Sequence, residues 1–405
     1  MSCNWQLKEL DQVITKRNQG VNTTTEKVKY SDDGVIVVRA NNITQGNIDF
    51  KDVAFVDKET FKRIKEPCKP RKGDVLYTNI GSQFGNAAKV EVNYDFVIAW
   101  NVLRLQPNQE TDADFLVYLL NNPSNKAYIQ SLNSSSTMPF VSGKEIGKTS
   151  FNFPDLQIQR KIGNWLKSLD NKIYLNTQTN QTLEQMAQAI FKSWFVDFDP
   201  VKAKMNGEQP EGMDAATASL FPEKLVESEL GLIPEGWDAV KVGDIVQRLK
   251  PKKRYTKKQV EPYGKTPVYE QGASILLGFH NDDAGFDASP EDPVFIFGDH
   301  TCITHLSCSK FDISSNVIPL KGSVRPTIWT YYAIQGKQEF QEYRRHWSEF
   351  IIKDIVLPPV ELAEKYAELV TTKYLMMESL KRQSKELEQL RDTLLPKLLS
   401  GEIEL

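Results

Sequence analysis

Nine residues, from His300 to Cys308, gather two imidazoles and two thiols in the pattern His300-x-Cys302-x2-His305-x2-Cys308. Zinc takes both ligand types, but structural zinc sites usually pair one tight turn of ligands with a distant second pair. On a strand, His300 and Cys302 share a face while His305 and Cys308 point to opposite faces. The spacing therefore favours core or groove-facing side chains, and no metal is expected. Base methylation needs a Gly-rich cofactor turn and an Asn/Asp-Pro-Pro-aromatic loop around a flipped base. The nearest matches, Asn122-Pro-Ser and Asp292-Pro-Val-Phe, both lack the second proline. No Gly-x-x-x-x-Gly-Lys-Ser/Thr phosphate cradle occurs either. The chain reads as non-enzymatic, with no catalytic residue and no cofactor of its own.

Charge is concentrated locally. Seven of the eleven residues from Arg248 to Lys258 are basic (Arg248, Lys250, Lys252, Lys253, Arg254, Lys257, Lys258), and Lys62 to Lys72 holds six more. Over the whole chain 50 Lys+Arg stand against 53 Asp+Glu, a net charge of −3, which excludes a uniformly basic nucleic-acid wrapper. Acidic residues gather in Glu208 to Glu235 and near the C-terminus.

These residues must be held by more than one core, because 405 residues exceed what a single core supports. A hydrophobic share of 40% and a charged share of 25% describe an ordinary globular chain. Four scattered cysteines make no disulfide framework. No run approaches the ~18 apolar residues that cross a bilayer, and Met-Ser-Cys-Asn-Trp lacks a basic-then-apolar signal pattern. A cytoplasmic location with no membrane partner is the expectation.

The chain repeats itself. Pro154-Asp-Leu-Gln-Ile-Gln-Arg-Lys matches Pro358-Pro-Val-Glu-Leu-Ala-Glu-Lys at an offset of 204, kept without a gap for about forty residues. A second pair of anchors, at Trp5 and Trp237, sets an offset of 232, so the contents of the first copy are longer by 28 residues. Between anchors the order of elements is shared. Gly73 to Thr78 and Asp292 to Phe297 read as strands, as do Asn101 to Leu105 and Asn316 to Leu320. Helical stretches follow at Asp114 to Leu132 and Pro326 to Tyr343, then anchor strands at Thr149 to Phe153 and Asp354 to Leu357. A duplication alone names no function; it says that one kind of task is done twice.

Heptad positions then run in alternating steps of four and three: Leu169, Ile173, Asn176, Asn180, Leu183, Ala187, Ile190, Trp194. The same positions in the second copy are Lys373, Met377, Leu380, Ser384, Leu387, Arg391, Leu394 and Leu398. This is a heptad seam with polar interruptions, of which Asn176 and Asn180 either fix register or face solvent. Two helices of about 30 residues extend roughly 45 Å each, comparable to one turn of duplex DNA. An ordinary helical hairpin is the plainer reading.

Three segments carry a resemblance. Ala189-Ile-Phe-Lys-Ser-Trp-Phe-Val-Asp-Phe-Asp-Pro-Val-Lys-Ala-Lys and Leu220-Phe-Pro-Glu-Lys-Leu-Val-Glu-Ser-Glu-Leu-Gly-Leu-Ile-Pro-Glu-Gly-Trp resemble the central region of the specificity subunits of type I restriction-modification systems. Leu394-Leu-Pro-Lys-Leu-Leu-Ser-Gly-Glu-Ile resembles that family's C-terminal ending. The resemblance implies an α/β fold of mixed α+β form, with two tandem target recognition domains separated by two long antiparallel coiled-coil helices in pseudo-twofold symmetry. Residues 1–153 are then the first recognition domain, 154–200 the first spacer helix, 201–236 a linker, 237–357 the second recognition domain and 358–405 the second spacer helix. It also implies the partners: double-stranded DNA, two methyltransferase subunits that use S-adenosylmethionine for adenine N6 methylation, and motor-nuclease restriction subunits. The competing readings are an orphan module that captures the methyltransferase without directing it, and a DNA methyltransferase.

Under that resemblance, polar loops inside the variable regions become the candidate DNA contacts, since bases are read mainly by Arg, Lys, Asn, Gln, Ser and Thr. In the first copy these are Arg39, Asn41 and Asn42; Asn79, Ser82, Gln83 and Asn86; and Ser134 to Thr137. In the second they are Lys252, Lys253, Arg254 and Tyr255, then Gln271, and the loop bounded by His300 and His305. A solvated basic loop and a plain polar turn are the bland alternatives for the Lys252 and Asn79 groups.

Overall fold

A computed structural model describes residues 5–26, 28–133 and 139–403. It divides into two compact units, one of residues 1–174 with 385–405 and one of residues 175–384.

In the first unit, strand Gln6–Glu9 pairs antiparallel with Ser150–Phe153, joining the two ends of the variable region. The short helix Leu10–Val13 follows, and Leu10 N–H closes on the Thr149 carbonyl at 2.9 Å. Next comes a four-stranded antiparallel sheet in the order Ile14–Gln19, Val102–Pro107, Val75–Thr78, Ala87–Lys89. A second sheet orders Ala54–Val56, Val35–Val38 and Phe96–Ile98, the last pair parallel. Helix Ala113–Asn121 lays five buried residues, Phe115, Leu116, Val117, Leu119 and Leu120, over the first sheet.

The second unit repeats the plan. Asp238–Lys241 pairs with Asp354–Leu357, the short helix Val242–Ile245 follows, and the sheet orders Val246–Arg248, Val317–Gly322, Val294–Gly298, Thr304–Ser307. Its second sheet is built differently: Arg254–Tyr255, Asp312–Ser314, Thr266–Tyr269, Leu276–His280. The first sheets thus match strand for strand, and the 28-residue difference falls outside them. The core here is aromatic, with Phe191, Trp194, Phe195, Trp329, Tyr332 and Tyr366 at ring separations of 5.0–6.3 Å.

Two expected helices are differently bounded. The segment 114–132 is two helices, Ala113–Asn121 and Pro123–Ser131, because Pro123 cannot continue the first and the buried Asn122 side chain caps the second at Ser124 and Asn125. The segment expected to run to Tyr343 ends at Ile334, two residues before Gly336 at φ +69°.

The long helices are Leu156–Phe195 and Val360–Ser400. The first stops where Phe198 takes a left-handed conformation ahead of Pro200. Every seam position of both helices is buried or half-buried, Leu169, Ile173, Leu183, Ile190 and Trp194 on one and Met377, Leu380, Leu387, Leu394 and Leu398 on the other, whereas Lys172, Gln181, Gln185 and Lys192 between them are exposed. Within the second unit the pairing is antiparallel: Tyr366 donates to the Ala187 carbonyl, Tyr374 to Glu184, and Asn176 to Gln383 and Ser384. Within the first unit Arg391 meets Asp170 at 2.7 Å. Asn176, buried in the seam, bonds across it, while the side-chain oxygen Oδ1 of Asn180 has no hydrogen-bond partner among the described residues. Among the described residues no helix is long and apolar enough to cross a membrane.

Candidate nucleic-acid interface

In each unit a cluster of loops forms where the first sheet ends. Strand Val75–Thr78 delivers Asn79, which is fully buried. Its amide donates to the Val141 carbonyl at 3.1 Å and accepts from Gln19 at 3.0 Å, and its N–H reaches the Asn101 carbonyl at 3.4 Å. The Asn101 side chain accepts from Ala40 N–H at 3.2 Å. Asn42 accepts from Arg39 N–H and donates to the Asp52 carbonyl, both at 3.0 Å. Asn86 donates to the Ile43 carbonyl at 3.0 Å and accepts from Lys126 at 2.7 Å. Asn42, Asn79 and Asn86 are therefore internal ties that join loops from four parts of the chain; a buried amide needs these bonds and gains them from neighbouring backbone.

What those ties leave facing outward is a smaller set. Asn41, Ser82 and Gln83 are exposed, and Arg39 is half-buried with one hydrogen bond to the Asp52 carbonyl at 3.4 Å. Two further exposed aromatics join them, Trp100 at 49% and Phe140 at 38%, and sequence had not marked either. Trp100 ends the apolar run Phe96-Val97-Ile98-Ala99 and Phe140 adjoins Val141, so in sequence both read as core residues. Ser134 and Thr137 lie outside the described residues.

Sheet register makes the second unit comparable position by position. Thr78 pairs with Val102 and Gly298 with Val317, so Asn79 corresponds to Asp299 and Asn101 to Asn316. The tie recurs: Asp299 N–H meets the Asn316 carbonyl at 2.9 Å. The Asp299 carboxylate accepts from Trp347 N–H at 3.0 Å, as Asn79 holds Val141. Around it lies a cavity of about 440 Å³ lined by Arg248, Arg254, Ser315, Asn316, Arg345 and Trp347. The Arg248 guanidinium sits 5.8 Å from the Trp347 ring. Arg254 donates to the Ser314 and Val317 carbonyls at 2.7 and 2.9 Å, and burial together with Arg248 holds its pKa below the ordinary value. Arg345 lies 3.8 Å from Asp299.

Arg248, Arg345 and Trp347 were not among the expected contacts, because 97 residues separate Arg248 from Arg345 and only the fold joins them. Of the expected set, Lys252 and Lys253 are exposed, the latter 4.2 Å from the Tyr255 ring and 3.4 Å from Asp282. Tyr255 itself is buried, stacked on His280 at 4.2 Å, which in turn meets buried Asp312 at 3.0 Å. It supports the basic loop from within. Gln271 accepts from His300 N–H at 2.9 Å, and the His300 ring stacks on exposed Tyr343 at 4.9 Å.

His305 points inward against Tyr269 at 4.8 Å, where burial, then nearby Lys381, pushes its pKa down to about 4. The Cys308 thiol, also buried, is pushed up to about 12. His300, Cys302, His305 and Cys308 do not converge, and among the described residues no three metal-ligating side chains do.

Residues 3–185 match the model of the type I restriction modification DNA specificity domain. The fold of the chain is similar to that of a type I restriction-modification S subunit from M. genitalium, with a TM-score of 0.55 at 14% identity over 98% of this chain and 96% of that one. The chain is 31% identical over 263 residues to the type I restriction enzyme HindI specificity subunit of Haemophilus influenzae, a match covering 55% of this chain and 53% of that protein. It is 23% identical over 332 residues to the MjaIX specificity subunit of Methanocaldococcus jannaschii, covering 73% of this chain and 70% of that one. The match to the Haemophilus protein thus spans about half of its length. The resemblance read from three segments extends well beyond them.

Proposed function

We propose that the chain is the DNA sequence-specificity subunit of a type I restriction-modification complex. Each recognition domain reads one half of a bipartite, asymmetric duplex target, and the chain directs its partners without catalysing a step. Two methyltransferase subunits supply S-adenosylmethionine chemistry at adenine N6, and motor-nuclease subunits complete the restriction enzyme in the cytoplasm. The chain holds no cofactor.

One observation carries this reading: the tie between Asn79 and Asn101 recurs between Asp299 and Asn316, with different side chains exposed around it. A shared frame with unlike donors and acceptors is what two different half-sites demand, because base edges are discriminated by the pattern of groups presented to them. The heptad helices support a spacing role, as rigid rods set distances better than loops do.

The test is co-purification with a methyltransferase subunit, followed by footprinting on duplex DNA. Two protected patches with an unprotected gap are expected. Capture of the methyltransferase with no protection favours the orphan module, and methyl transfer by this chain alone favours an enzyme.

A further inference from the structure

We propose that the cavity lined by Arg248, Arg254 and Arg345 is a clamp for a phosphate of the DNA backbone, so that the second unit anchors the duplex more strongly than the first. This rests on the DNA-specificity reading above. Three guanidiniums face about 440 Å³, and the one carboxylate on the lining, Asp299, is shared between Arg345 and Trp347 N–H. Among the described residues neither Arg248 nor Arg254 has a carboxylate within ion-pair range; Arg254 bonds only to carbonyl oxygens. An anion is thus the missing partner. The planar fork of arginine suits a tetrahedral oxyanion, and Ser315 and Ser348 on the same lining add hydroxyl donors.

The matched place in the first unit lacks this charge. Arg17 pairs with Leu105 as Arg248 pairs with Leu320, so the two arginines correspond, but Arg17 is held by Asp11. At the offset of 204, Arg345 becomes Val141 and Trp347 becomes Gly143; at the strand end, Asp299 becomes Asn79. The Gly143 backbone lies against Arg17, its ideal Cβ position 3.2 Å from Nε, leaving no pocket of this kind. One frame therefore carries three guanidiniums around one pocket in one copy and, in the other, Asn41, Ser82, Gln83 and Trp100 with the single half-buried guanidinium of Arg39.

The test uses the full chain and its R248Q/R345Q variant, both changes on exposed side chains, with coincident thermal melting as the folding control. Duplex binding is followed by fluorescence anisotropy from low to moderate salt. Each lost phosphate contact lowers the slope of log K against log salt by about 0.9, so the variant's slope is expected to fall by roughly 1 to 2. Its affinity falls by the same factor on target and scrambled duplexes, while R17Q leaves the slope unchanged. An unchanged slope in R248Q/R345Q, with wild-type binding intact, overturns the clamp and leaves the DNA reading standing. A wild-type chain that binds no duplex overturns both. Inorganic phosphate is titrated separately: saturable binding abolished in the variant, with an unchanged DNA slope, assigns the pocket to free phosphate and contradicts the proposal.

Discussion

Asn79 and Asp299 stand at the same point of two copies and differ by one functional group. An amide donates and accepts, so Asn79 closes a ring between Gln19 and Val141. A carboxylate only accepts, so Asp299 takes Trp347 N–H and turns its other oxygen to Arg345. Asp299→Asn should keep the first contact and release Arg345, strengthening binding to all DNA roughly two- to fivefold at low salt, the size expected for an exposed ion pair; equal affinities by anisotropy would count against it. His305 gives a pH dependence. Its folded pKa near 4 lies below the unfolded 6.5, so between these values the unfolded chain holds the extra proton. The stabilisation is whole above about pH 6.5 and lost as pH falls toward 4, by roughly 3 kcal/mol. Urea midpoints should drop more steeply over that range in the wild type than in His305→Gln. At this scale the sequence showed which loops are polar but not which amides are ties and which are tips. That difference depends on acceptors such as the Val141 and Ile43 carbonyls, which come from other segments.

The elements are joined by a few side chains whose roles are clear from packing. In the second unit Tyr332 and Tyr374 both donate to Glu184, at 2.8 and 2.7 Å, and so fasten helix Thr327–Ile334 to both long helices. In the first, Tyr118 donates to Asp170, which Arg391 also holds. Tyr332→Phe removes a charge-assisted bond and should cost about 1.5–3 kcal/mol in urea denaturation, with the fold kept. Gly163 allows close approach: a Cβ there would sit 2.9 Å from the Asp112 carboxylate and 3.0 Å from Phe115 N. Gly163→Ala should destabilise by about 1–3 kcal/mol by overpacking, whereas Ala367→Gly, at the corresponding position, should cost about 2 kcal/mol through helix propensity and the loss of a buried methyl group. The long helices were legible because a heptad pattern is local and repeats over many turns. So were the strands found in both copies. The helix expected to reach Tyr343 was not, because the apolar residues before Gly336 continue into a segment whose backbone turns left-handed there.

For the whole molecule the doubling was the readable feature, since an offset that persists over forty residues needs no structure to be seen. The units were less readable. Each gathers one variable region with parts of both long helices, so residues 385–405 belong with residues 1–174 although residues 175–384, about half the chain, lie between them. Trp5 against Gly401, and Leu395, Leu398 and Leu399 against Ile162 and Leu166, close the first unit by contacts no local pattern announces. The proposed function requires that two unlike readers on one frame direct methylation to a split, asymmetric site. The most direct measurement is a map of N6-methylated adenines in DNA from a host carrying the intact system, compared with the same host lacking this chain. One bipartite motif with unlike halves and a fixed gap, gone when the chain is absent, is the expected result. Methylation that persists without the chain, or a continuous palindromic motif, would contradict it.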